Sequence, residues 1–144
     1  MHISLLGKAG SFALRLIPLF LERVSAGFPS PAQDFVEKTL DLNELCIQHP
    51  AATFFVRVSG DSMIEAGIFP GDILVVDRSL RASHGDVVIA VLDGEFTVKE
   101  LALHPAPMLL PRNRAYAPIT LGNDSELEIF GVVTRSIRDI RGQR

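Results

Sequence analysis

Asp93-Gly94 is the feature that most limits how this chain folds. Two-residue hairpin turns need positive φ at their central positions, and Asp-Gly accepts it. The pair stands between two β-rich runs, Val87 to Leu92 and Glu95 to Leu101, so a hairpin is expected here. Further β-rich runs follow the same punctuation. Thr53 to Val58 is one, and Ile73 to Val76 is another, after the turn Pro70-Gly71-Asp72. Leu127 to Val133 is a late strand, with Gly131 as an expected bulge. One helix is expected: Asp41-Leu42-Asn43-Glu44 is a capping-box pattern, and His49-Pro50 stops the helix near Gln48. The fold class is therefore mostly β.

Residues 1–39 read differently, as an N-terminal arm ahead of a β-rich domain over 40–144. Glycines and prolines interrupt the arm, and neither a 3.6-residue nor a 2-residue period persists. Phe28-Pro29-Ser30-Pro31 is forced into extended backbone, because each residue before a proline is pushed out of the helical region. Ala26-Gly27 lies just upstream, beside backbone of the shape that peptidases bind. The arm also imitates a secretory signal, with Lys8 before an apolar run and Val24-Ser25-Ala26 where a signal would be cut. Arg15 and Pro18 inside that run, and Glu22-Arg23 after it, argue against the signal reading. No apolar segment reaches the length of about 20 residues that spans a bilayer.

A net charge of −3 offers no wholesale neutralisation of phosphate, so no direct sequence-specific DNA binding is expected. Cys46 is the one cysteine, which excludes an intrachain disulfide and fits a cytoplasmic protein. His2, His49, His84 and His104 lack metal-ligand spacing, and neither a metal nor a cofactor is expected. His84-Gly85-Asp86 reads as a turn rather than half of a triad. Arg135, Arg138, Arg141 and Arg144 read as a solvated end, or else as a contact for a polyanion or partner.

One constellation suggests chemistry. Ser59-Gly60-Asp61-Ser62-Met63 follows a strand and precedes Ile64-Glu65-Ala66, a single helical turn closed by Gly67. Ser62 would stand at a strand-to-helix junction, where backbone N–H groups are unpaired. Those of Asp61 and Ser62 are the candidates for holding an oxyanion. Lys99 lies in the second arm of the hairpin and shares a face with Thr97 and Leu101. Burial would push its pKa down and make it a competent general base for a serine hydroxyl. Taken alone, the same residues also fit a turn serine and a solvated strand lysine.

Several segments together resemble the UmuD/LexA family of self-cleaving proteins. They are Ala26-Gly27-Phe28-Pro29-Ser30-Pro31-Ala32, Asp41-Leu42-Asn43-Glu44-Leu45, Ile47-Gln48-His49-Pro50 and Ser59-Gly60-Asp61-Ser62-Met63. Ala82-Ser83-His84-Gly85-Asp86, Asp93-Gly94-Glu95-Phe96-Thr97-Val98-Lys99, Tyr116-Ala117-Pro118-Ile119-Thr120 and Phe130-Gly131-Val132-Val133 match as well. The resemblance implies curved antiparallel sheets, Ser62 as nucleophile, Lys99 as general base and Ala26–Gly27 as the scissile bond. It further implies an SOS-response role as the accessory subunit of an error-prone translesion polymerase. The expected partners are a second copy of the chain, a RecA filament on single-stranded DNA, and a UmuC-type Y-family polymerase subunit. Ala-Gly at the cut departs from the Cys-Gly common in UmuD proteins and is like LexA-type repressors. Residues 1–16 match nothing in the family pattern.

Three alternatives compete. A LexA-like repressor needs a DNA-binding domain before the cut, and 26 residues precede the bond here. Signal peptidase I also uses serine and lysine, but needs a membrane anchor. A non-cleaving interaction subunit with a vestigial dyad would carry the same motifs.

Overall fold

The computed structural model describes residues 2–8, 17–20, 36–122 and 126–142. Among the described residues the strands are β1 (His2–Lys8), β2 (Ile17–Phe20), β3 (Val36–Leu40), β4 (Thr53–Ser59), β5 (Ile73–Asp77), β6 (Val87–Leu92), β7 (Glu95–Ala102), β8 (Met108–Leu110), β9 (Ile119–Thr120) and β10 (Leu127–Ile137). Eight of them form one antiparallel sheet in the order β1-β4-β5-β10-β6-β7-β8-β9, and β2 pairs with β3 separately. The mostly β expectation holds. The helix α1 (Leu42–Cys46) ends two residues before Gln48, and the Asp41 carboxylate caps it by accepting from the Asn43 N–H at 3.3 Å.

The hairpin β6–β7 forms in the register its turn dictates, with Leu92 opposite Glu95 and Val88 opposite Lys99. Asp93 and Gly94 both take positive φ, 49° and 84°. The strand β10 slips register between Ile129 and Gly131, so the bulge expected at Gly131 is present. A side chain there would meet the Val76 Cγ1 at 2.6 Å, so the close approach of β5 requires glycine.

Two buried clusters hold the sheet together. Val56, Val58, Met63, Leu74, Ile89 and Val98 belong to one, and Val88, Ala90, Leu101, Leu109 and Val132 form the other. Burying each such side chain is worth about 1.5–3 kcal/mol before entropy is counted. Met63 is fully buried in the first cluster, which anchors the chain immediately after Ser62.

The chain groups into two compact units, Ser11–Gln48, and Met1–Gly10 together with His49–Arg144. The boundary expected after residue 39 falls within Ser11–Gln48. His2–Lys8 belongs with the sheet because β1 pairs along β4 from His2–Ser59 to Lys8–Phe54. In the other unit β2 pairs with β3, from Ile17–Leu40 to Phe20–Val36.

Candidate active site

Ser62 sits in the turn that leaves β4. Ile64–Ala66 then makes one 3₁₀ turn, closed by Gly67 at φ 79°. The side chain of Ser62 is buried although the turn is not part of a strand. Among the described residues, no hydrogen bond takes up the backbone N–H of Asp61 or Ser62.

Lys99 projects from β7 to the same place. Its Nζ lies 3.2 Å from the Ser62 Oγ, 2.7 Å from the Thr97 Oγ1 and 3.1 Å from the Val98 carbonyl oxygen. The expected alternation along β7 is what puts Thr97 beside it. Lys99 is only 6% exposed, which rules out the solvated strand lysine. None of its three partners is a carboxylate. Burial therefore acts unopposed and pushes Lys99 below the ordinary lysine value of 10.5. A neutral amine has two N–H groups and one lone pair. Thr97 and Val98 can accept the two N–H groups, and the lone pair is left for the Ser62 hydroxyl proton. The geometry suits proton transfer from serine to lysine.

Beside Lys99 opens a groove of about 280 Å³, lined by Leu92, Phe96, Thr97, Tyr116 and Ile119 among others. Its walls are mainly apolar, which suits a peptide segment of small and apolar side chains. Ala26 and Gly27 fall outside the described residues, lying in sequence between β2 and β3.

The sequence reading missed the segment that grips the serine turn. Arg112 N–H donates to the Ser62 carbonyl at 2.7 Å, and Glu65 N–H donates to the Arg112 carbonyl at 2.8 Å. Asn113 Nδ2 donates to the Asp61 carbonyl at 2.8 Å, and the Tyr116 hydroxyl donates to the Asp61 Oδ1 at 2.6 Å. That bond raises the Tyr116 phenol above its ordinary 10.0. Arg112 also pairs with Glu100, the neighbour of Lys99 on β7. The signal in the sequence is the family motif Tyr116-Ala117-Pro118-Ile119-Thr120, which by itself assigns no role.

Arg138 corrects the reading of the C-terminal arginines as a solvated end. Its Nε and Nη2 donate to the two oxygens of Asp72, each at 2.8 Å, and Nη2 also reaches the Gly67 carbonyl at 2.7 Å. Asp72 is completely buried, and the Arg138 hydrogen bond holds its carboxyl below the usual 3.8. His84 and His104 stack at 3.8 Å, and the Leu103 N–H donates to the His84 Nδ1. The turn at His84-Gly85-Asp86 is present, closed by Asp86 N–H to the Ser83 carbonyl at 3.0 Å. Among the described residues, no group of three His, Cys, Asp or Glu is placed to hold a metal, and no helix is long and apolar enough to cross a membrane.

A strand-borne buried lysine thus stands beside a serine in a tight turn. Residues 18–134 match the peptidase S24-like family, and the chain belongs to it. Protein MucA of Salmonella typhimurium is 49% identical over 138 residues, covering 95% of this chain and 94% of the relative. Protein SamA of Salmonella typhimurium strain LT2 is 56% identical over 124 residues, 86% of each. LexA repressor 1 of Xanthomonas axonopodis pv. citri is 41% identical over 137 residues, 94% of this chain and 67% of the repressor. These relatives bear out the resemblance to UmuD-type proteins drawn from the motifs.

Proposed function

We propose that this chain cuts itself between Ala26 and Gly27. Ser62 Oγ attacks the Ala26 carbonyl carbon while Lys99 Nζ takes the hydroxyl proton. The backbone N–H groups of Asp61 and Ser62 receive the negative charge that forms on the carbonyl oxygen. The peptide C–N bond then breaks, and the Gly27 amine leaves with the proton from Lys99. Water hydrolyses the ester left on Ser62, with Lys99 again taking a proton. The observation that carries this reading is the 3.2 Å approach of Lys99 Nζ to Ser62 Oγ, both buried and, among the described residues, with no carboxylate bonded to the lysine.

The same reading assigns the protein to SOS mutagenesis in the cytoplasm. A RecA filament on single-stranded DNA stimulates the cut. The shortened chain, Gly27–Arg144, works as a homodimer with a UmuC-type Y-family polymerase in translesion synthesis. The relatives MucA and SamA, matched over most of their length, support this over a LexA-like repressor. Loss of the arm acts as a switch of assembly. Phe12, Leu14, Leu16, Ile17, Leu19, Phe20 and Leu21 make the removed segment strongly apolar, so its loss changes the apolar surface offered to partners.

The test is intact-mass analysis after incubation with activated RecA. The expected product begins at Gly27, and Ala26→Asp should block its formation, because a charge would enter a partly desolvated groove. A different new N-terminus would refute the assigned bond. An unchanged mass under all conditions would support the vestigial-dyad alternative instead.

A further inference from the structure

We propose that Asn113 and Tyr116 are positioning residues for Ser62, acting through Asp61 to aim the Ser62 N–H at the oxyanion. The inference rests on the Ser62–Lys99 reading above. A trans peptide is planar, so its C=O and N–H point in opposite directions. Asn113 Nδ2 holds the Asp61 carbonyl at 2.8 Å, which turns the Ser62 N–H of the same peptide away from Asn113. The next carbonyl, that of Ser62, is held from the same segment by the Arg112 N–H at 2.7 Å. Tyr116 fixes Asp61 a second time, by its side chain, at 2.6 Å.

The holder is itself held. Asn113 Oδ1 accepts the Ala115 N–H at 3.0 Å, and the Asn113 carbonyl accepts the Tyr116 N–H at 3.1 Å. Arg112 ties the segment to Glu100, one residue from Lys99. A single short segment thus references the serine turn and the lysine strand to one frame. Neither Asn113 nor Tyr116 bonds Lys99, whose partners are Ser62, Thr97 and Val98. Their loss should lower the reactivity of Ser62 and leave the titration of Lys99 alone.

A small fluorophosphonate, diisopropyl fluorophosphate, separates this role from a substrate contact, because it does not need the peptide groove. The Ser62 oxygen forms a bond to phosphorus, fluoride leaves, and the hydroxyl proton passes to Lys99. Intact mass follows the labelling rate of the full chain across pH. Asn113→Ala removes the N–H donor to Asp61 without adding charge. Tyr116→Phe removes only an exposed hydroxyl, so it decides the matter even if Asn113→Ala fails to fold. Each variant should label about tenfold more slowly or worse, with an unchanged pH midpoint and a melting temperature near that of the parent. The double variant should be slowed by less than the product of the two single effects, because both act through Asp61. Parental labelling rates in both variants would overturn the proposal, and so would slowing that comes with a shifted midpoint. Equal labelling of Ser62→Ala and the parent would refute the Ser62 reading itself.

Discussion

Asp72 and Lys99 are both buried ionisable side chains in the same sheet-bearing unit, and they have opposite fates. Asp72 meets the Arg138 guanidinium in a two-pronged pair and also accepts the Phe69 N–H at 2.9 Å. Its charge is fully provided for, and its pKa falls. Lys99 meets a hydroxyl, a carbonyl and a serine, none of them anionic, and its pKa also falls. For an acid, the lowered value favours the charged form. For a base, the lowered value favours the neutral form. The first arrangement holds structure, and the second leaves a lone pair next to a serine hydroxyl.

The largest effect expected from breaking this contrast is at the dyad. Ser62→Ala and Lys99→Ala should each abolish self-cleavage, and losing either should cost nearly as much as losing both. Lys99→Arg should fail as well, since a guanidinium keeps its proton. Normal cleavage by Lys99→Ala in a mass assay would require another base.

The next effect is on stability at the paired site. Arg138→Ala leaves a fully buried carboxylate without its cation, and the melting temperature should drop by about 5 °C or more. The stability that Asp72 lends is complete above the unfolded value of 3.8 and is lost as pH falls through its lower folded value. Thermal melts across that acid window should show the loss in the parent and a smaller one in Arg138→Ala.

The smallest effect has the opposite sign. Lys99→Met replaces a buried amine that has no carboxylate partner among the described residues with an apolar chain of similar length, and should raise the melting temperature by about 3 °C near neutral pH. The unfolded chain binds the Lys99 proton up to 10.5, whereas the folded chain releases it lower. Parent stability should therefore climb with pH between the two values, and the gain from Lys99→Met should shrink over the same window. A fall in melting temperature at all pH values would mean that Lys99 is held as a structural cation.

The contrast also separates what the sequence made legible from what it did not. The hairpin β6–β7 was legible because Asp93-Gly94 fixes it within two residues. The Ile64–Ala66 turn and α1 were legible because Gly67 and Asp41 cap them locally. The strand β1 was not, because its ladder to β4 joins His2 to Ser59 across the sequence and Gly7 interrupts its register. Arg138 was read as solvated because its partner stands 66 residues away. The pairing of Ser62 with Lys99 is one reading of the residues among others, and the family resemblance is what favours it. Neither residue carries a local signal for an approach that spans 37 residues. The role of Asn113 and Tyr116 was hidden for the same reason, since their partner Asp61 lies 52 and 55 residues away.

The most direct test of a lysine base is the pH profile of RecA-free self-cleavage, followed by intact mass from about pH 6 to about pH 11. The rate should rise with the fraction of neutral amine, reach half its maximum below 10.5, the ordinary lysine value, and level off above that midpoint. A rate that stays flat across that range while the protein remains folded would contradict Lys99 as the base.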